Sequence, residues 1–130
     1  MNINKLREEL KADEGCKYEI YLDHLGFPSH GIGHLILDSD PEYGQEVGTP
    51  VSEDRVNECF AKDVETVLSE CKKLYSNFEL LPEEVQLIIA NMMFNMGRPR
   101  LSKFVGMRAA VDSGDWHRAA VEMVDFFFFF

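Results

Sequence analysis

Residues 52 to 75 limit the possible folds of this chain more than any other stretch. Apolar residues recur at Val56, Cys59, Phe60, Val64, Val67, Leu68, Cys71, Leu74 and Tyr75, the three-and-four spacing of a one-sided helix. Ser52 stands where an N-cap acceptor belongs, and Glu53 and Asp54 place negative charge at the positive end of the helix dipole. About 23 residues at 1.5 Å each make a helix of roughly 34 Å. A chain of 130 residues makes one domain with a real core, and a small sheet cannot cover so long an apolar stripe. The stripe therefore predicts a spine joining two lobes.

The flanking sequence supplies candidates for both lobes. Asn2 or Asn4 can cap a first helix with Ile3, Leu6 and Leu10 on one face, stopped by Gly15. Residues 17 to 37 read as a small antiparallel sheet. Tyr18, Ile20 and Leu22 alternate with Lys17, Glu19 and Tyr21, the turn falls near His24-Leu25-Gly26, and Pro28, with no N–H to donate, marks an edge or bulge. Asp38 to Pro50 is a loop by composition. Beyond the spine, Pro82 opens a helix that Gly97 closes. Val85, Leu87, Ile88, Ile89, Met92, Met93 and Met96 make it apolar nearly all round, as suits a buried centre. Arg98-Pro99-Arg100 reads as a turn, Leu101 to Val111 as a helix broken near Gly114, and Asp115 to Asp125 as another, with Trp116, Ala119, Ala120 and Met123 on its packed face. The fold class is α+β: a sheet lobe over about 15–51, a connecting helix over 52–75, and a helical lobe from 1–14 and 76–125.

Composition removes several classes of function. The net charge is −10, so there is no basic stripe to replace counterions on nucleic acid. No apolar run reaches membrane-spanning length, and Met1 to Leu10 is too charged for a signal peptide, which predicts a cytoplasmic product. Cys16, Cys59 and Cys71 are odd in number and follow no metal-ligand spacing. They read as reduced thiols, the latter two as small core residues. His24, His30 and His34 lie on one hairpin but need not converge, so no metal site is expected. Ser29 lacks the G-x-S-x-G setting of an activated nucleophile.

Chemistry concentrates between Glu14 and His34. Glu14 sits in the last turn of the first helix and Asp23 at the end of the first strand, so a carboxyl on a helix end can face one on a sheet edge. Hydrolysis of an acetal needs such a pair, one to protonate the leaving oxygen and one to activate water. Taken alone, two acids near a glycine-rich turn are equally at home as solvated surface. Gly31 and Gly33 can be plain kinks or points where a substrate approaches the backbone.

In order and spacing, Asp13-Glu14-Gly15, Tyr21-Leu22-Asp23, Gly26, Ser29 and Gly31-Ile32-Gly33-His34 resemble the phage lysozymes of the T-even type, and the likeness runs to about Asp125. The resemblance implies a two-lobed lysozyme-like fold and a muramidase, an inverting hydrolase of the β-1,4 bond between N-acetylmuramic acid and N-acetylglucosamine. It makes Glu14 the general acid and Asp23 the ionised partner that holds water. Ser29 stands where threonine is usual and keeps the hydroxyl that positions that water. His30 replaces a commonly apolar residue, giving the floor of the site a more polar character. The sugar is expected against Leu35 and Phe94, although an M-M-F-N-M setting suits a core aromatic as well. Asp63 shares the apolar face of the spine and needs a partner there; the resemblance supplies His34, in a structural pairing. It implies no cofactor and no metal, and a monomer acting on bacterial peptidoglycan, within a host cytoplasm if the source is a phage. The acidic surface implies slower encounter with an anionic wall, softened by screening beyond about 8 Å at physiological salt.

After Asp125 the chain reads Phe126 to Phe130, where the resembled family continues with an Arg-Trp-Tyr segment and a basic helix that brings an arginine beside the catalytic glutamate. The expectation is a truncated or artefactual end, prone to association through exposed aromatics, on a chain that keeps the fold but cuts weakly. Two alternatives stand beside the enzyme. One is a lysozyme-like module that binds peptidoglycan without cutting it; the other is a structural domain in which the Glu14 and Asp23 pair is accidental.

Overall fold

Helix α1 (Ile3–Glu14) buries Leu6 and Leu10 and leaves Ile3 exposed. Gly15 stops it: at φ +73° the glycine turns left-handed and its N–H closes on the Lys11 carbonyl at 2.9 Å. Strand β1 (Lys17–Leu22) follows almost at once. It runs antiparallel to β2 (Pro28–Gly31), which in turn pairs with β3 (His34–Leu35), in the order β1-β2-β3. Residues 1–123 are described in this computed structural model; the phenylalanine run and the end of the last expected helix lie outside them.

The central place of β2 corrects the edge reading of Pro28. The proline occupies the first position of the middle strand, opposite Leu22, where its missing N–H breaks no ladder, and its carbonyl accepts from Ile36. The irregularity lies instead in β1, between Lys17 and Tyr21. Only Ile20 of the alternating apolar set is buried; Tyr18 and Leu22 are exposed. The outer edge of β1 is occupied by the following loop, through Ile20 N–H to Thr49, Gly48 N–H to Ile20 and Val51 N–H to Tyr18. The register aligns Tyr21 with Ser29 and Ser29 with Leu35, one row across three strands, while His30 faces His34 on the opposite side.

Helix α2 (Glu53–Leu74) is 22 residues long, about 33 Å. Ser52 Oγ accepts from the Arg55 N–H at 3.1 Å. The predicted stripe is buried at Val56, Cys59, Phe60, Val64, Val67, Cys71 and Leu74, and Tyr75 follows it into the interior. The β2–β3 turn lies directly on this helix. Gly31 has φ +63°, and a Cβ there would stand 2.7 Å from Val56 Cγ1.

The chain divides into two compact units, and the division falls within α2. One unit is Ile3–Glu65; the other starts at Thr66 and includes Met1 and Asn2. Helix α1 falls within the first of these units, together with the sheet. Its short link to β1 and the seating of Glu14 over Gly33 tie it there.

In the second unit, a 3-10 turn (Phe78–Leu80) precedes α3 (Glu83–Met96), which runs between Pro82 and Gly97 as expected. Leu87, Ile89, Ala90, Met92 and Met93 are buried, while Ile88 is exposed. Gln86 is buried too, because its amide donates to the Leu81 carbonyl at 2.8 Å. Arg98–Leu101 forms a single helical turn, α4, rather than a plain turn, so α5 (Val105–Ser113) starts later than its apolar pattern suggested. Gly114 ends α5 in the left-handed region. Asp115 caps α6 (Trp116–Glu122) by accepting from the Arg118 N–H. Of the face expected for α6, Ala119 is buried and Met123 half-buried, whereas Trp116 and Ala120 are exposed. No helix among the described residues is long and apolar enough to cross a membrane.

Candidate active site

Glu14 is the last residue of α1 and is half-buried. Burial raises its pKa, the neighbouring Asp13 raises it further, and His24 works weakly in the opposite sense. The negative neighbour is therefore Asp13, next to it in sequence, and not Asp23. A Cβ on Gly33 would stand 3.0 Å from Glu14 Oε2, on a backbone already at φ +62°. The glycine lets the carboxyl lie close over the hairpin turn.

Tyr21 connects the two carboxylates. Burial raises the pKa of its phenol, and the Glu14 charge adds to this; a hydrogen bond from the Gly33 N–H acts the other way, and Asp23 raises it again. Tyr21 thus lies within electrostatic reach of both acids and at the head of the Tyr21, Ser29 and Leu35 row. The sequence placed Tyr21 in the motif without giving it a role. Its position two residues before Asp23, on the same face of β1, was the available signal.

Asp23 closes β1 and builds the turn that follows. Its Oδ1 accepts from the N–H groups of Leu25 and Phe27, both at 2.9 Å, and its own N–H donates to the Phe27 carbonyl at 2.9 Å. Ser29 is only 3% exposed, and its hydroxyl donates to the same Phe27 carbonyl at 3.3 Å. Leu35, Ser29's cross-strand partner, is 45% exposed. Glu14, Asp23, Ser29 and Leu35 therefore share one unit. Phe94 lies in the other, half-buried on α3 beyond the buried Met92 and Met93.

The opposite face of the sheet holds a different kind of cluster. His30 is fully buried there, with Nε2 3.1 Å from Glu42 Oε1. It is not on the side of Ser29, so the expected polar floor of the site is corrected: adjacent strand residues point to opposite faces. His34 Nδ1 lies 2.7 Å from Asp63 Oδ2, and Nε2 lies 2.9 Å from Asp40 Oδ2. Arg55 carries the network onward through Nη2 to Asp40 at 3.2 Å, Nε to Glu42 at 3.1 Å and Nη1 to Glu58 at 3.2 Å.

The two histidines are shifted in opposite directions. Burial alone would lower the His34 pKa, but the bonds and charges of Asp63, then Asp40, outweigh it and the value is raised. For His30, burial and the nearby His34 outweigh Glu42, and the value is lowered. Sequence reasoning reached His34 and Asp63 but missed Asp40, Glu42 and Arg55, which come together only when the loop after β3 folds back on α2.

A small antiparallel sheet, an acid on the last turn of a preceding helix and a long amphipathic helix against the hairpin define a lysozyme-like α+β protein. Comparison with known families agrees: the phage lysozyme family model matches residues 11–127, and the chain belongs to the phage lysozyme family, which relates it to the glycoside hydrolases. It is 28% identical over 132 aligned residues to the pre-baseplate central spike protein of Enterobacteria phage T4, a match covering 88% of this chain but 23% of the spike protein. It is also 28% identical over 140 aligned residues to probable T4-type lysozyme 2 of Dictyostelium discoideum, covering 93% of this chain and 82% of that relative. Probable T4-type lysozyme 1 of the same organism is 27% identical with the same coverage.

Proposed function

We propose that the chain is a muramidase that hydrolyses the β-1,4 bond between N-acetylmuramic acid and N-acetylglucosamine in peptidoglycan. The observation that carries the reading is the Glu14 carboxyl, held toward its protonated form by burial beside Gly33 and Tyr21. A carboxyl whose protonated form is favoured can pass its proton to the glycosidic oxygen as the bond breaks. Asp23, fixed by its own turn, draws a proton from the attacking water, and the Ser29 hydroxyl helps position that water. Leu35, exposed at the end of the row that holds Tyr21 and Ser29, serves as an apolar contact for the sugars. The reaction inverts, which requires the two carboxyls to stand roughly 6.5–9.5 Å apart with room for a water between them, and the first product is the α-anomer. A β-anomeric first product rejects this stereochemistry.

One observation favours a second reading, a module that binds peptidoglycan without cutting it. Asp23 Oδ1 and the Ser29 hydroxyl, both assigned to the water, are engaged by the backbone of their own hairpin. Reducing ends released from purified peptidoglycan separate the two. The enzyme releases them and Glu14→Gln does not, while both sediment with the polymer. Sedimentation without release by the unaltered chain selects the module; equal release by Glu14→Gln removes Glu14 from its role.

A further inference from the structure

We propose that His30, His34 and Cys59 form a binding site for a thiophilic transition-metal ion of the zinc class, which clips the β2–β3 hairpin to helix α2. The two histidines are direct cross-strand partners, so their side chains leave the sheet on one face, with ring centroids 4.9 Å apart. Cys59 comes from α2, one turn beyond the Val56 that Gly31 touches. One ligand atom from each residue lies within 4.8 Å of the other two. All three residues belong to the unit Ile3–Glu65.

The donor set and its spacing favour this class of ion. Two imidazoles and a thiolate suit zinc, cobalt or cuprous copper and disfavour magnesium and calcium. Tetrahedral zinc, with bonds of about 2.0–2.1 Å to nitrogen and 2.3 Å to sulfur, sets its donors roughly 3.3–3.7 Å apart. Cys59 Sγ is already 3.9 Å from His30 Nε2, so the widest part of the cluster has to close by about an ångström. Glu42 Oε1 is 3.1 Å from the same nitrogen but also accepts from Arg55 Nε at 3.1 Å, so it can serve as a fourth ligand only if that bond loosens. Cys59 is 2% exposed and His30 0%, and His30 Nδ1 is buried without a hydrogen-bond partner among the described residues.

Binding has a cost that can be located. Both nitrogens of His34 hold carboxylates, Nδ1 on Asp63 and Nε2 on Asp40, and one must be released for His34 to ligate. The other remains and orients the ring, as carboxylates commonly do behind metal-bound histidines. The Cys59 thiol gives its proton to solvent as the metal–sulfur bond forms. Because the cluster and Ser29 lie on opposite faces of β2, the ion is structural and touches no reacting atom.

The test is a cobalt(II) titration of the metal-free full chain. The expected result is one bound equivalent with a thiolate-to-cobalt charge-transfer band in the near ultraviolet. The band disappears in Cys59→Ser and persists in Cys16→Ala and Cys71→Ala. Zinc-loaded unaltered protein, examined by X-ray absorption, gives a reading that does not depend on a variant folding: one sulfur and two nitrogens in the first shell. A missing charge-transfer band, a band that survives Cys59→Ser, or a zinc shell without sulfur each overturns the proposal.

Discussion

On one face of the sheet, Tyr21, Ser29 and Leu35 run in a row beside two carboxyls that share no cation-bearing network among the described residues; on the other, His30 and His34 are held by Glu42, Asp40 and Asp63, with Arg55 bridging between them. The same small sheet presents both arrangements, because neighbouring strand residues point to opposite sides. The paired side brings each charge a partner, and His34 is pushed toward its charged form there. On the other side Glu14 is pushed toward its neutral form, mainly by burial. The difference separates a holding site from the proposed reacting one: paired charges fix geometry, while a carboxyl pushed toward its neutral form holds more readily a proton it can give away.

The largest effect expected is on the reacting face. Glu14→Gln should lower the release of reducing ends by about 10²–10⁴-fold, the usual contribution of a positioned general acid. The same variant should unfold at a higher temperature near neutral pH, since it removes a charge that burial disfavours. A lower unfolding temperature would contradict the under-paired character of Glu14.

On the holding face, Asp63→Asn should cost about 1.5–3 kcal/mol of stability, the range for a hydrogen bond to a charged group, and leave the release of reducing ends intact. The sign with pH follows from His34. Its folded pKa is raised, so the stabilisation is complete below the unfolded value of about 6.5 and is lost as pH rises through the folded value. In chelator, denaturant melts should therefore show a larger cost near pH 6 than near pH 9. An equal cost at both would mean that the pair does not depend on a charged imidazole.

Comparable effects are expected at two glycines of the sheet region. Gly31→Ala combines a left-handed backbone with a contact of 2.7 Å to Val56, and should cost about 2–3 kcal/mol. Gly26→Ala has a similar backbone, φ +85°, and nothing within 4 Å, so strain alone predicts about 1–2 kcal/mol. Equal melting curves for the two would remove the close approach of the hairpin to α2. The smallest stability difference expected lies within Asp23. Asparagine keeps the Oδ1 that Leu25 and Phe27 donate to and alanine does not, so Asp23→Ala should be about 0.5–1.5 kcal/mol less stable than Asp23→Asn. Both should lose the release of reducing ends; an active Asp23→Asn would confine Asp23 to the turn.

The legible parts of the chain were those whose signals are local. The period of α2, its cap at Ser52 and the stops at Gly15 and Gly97 need no tertiary information. The short strands were less clear, because a strand covered on one side only leaves Tyr18 and Leu22 exposed despite their alternation. The start of α5 shifted because the four-residue helical turn before it carries too few apolar positions to fix a phase. At the candidate site, motif order pointed to Glu14, Asp23 and Ser29, which the structure holds within one unit. Tyr21 was not assigned a role, since its relation to both acids depends on where α1 lies on the hairpin. His30 was placed on the wrong face although strand parity with Ser29 already excluded that. The Asp40, Glu42 and Arg55 network follows from a loop path that no local pattern encodes.

Carbon-13 NMR titration of the Glu14 side-chain carboxyl, read beside the pH profile of peptidoglycan cleavage, tests the division between the two faces most directly. The carboxyl should titrate above the ordinary glutamate value of about 4.3, in the direction that burial and Asp13 impose, and cleavage should fall along the same curve as Glu14 loses its proton. A Glu14 that titrates at the ordinary value, or cleavage that continues unchanged after it ionises, would contradict its place as the proton donor.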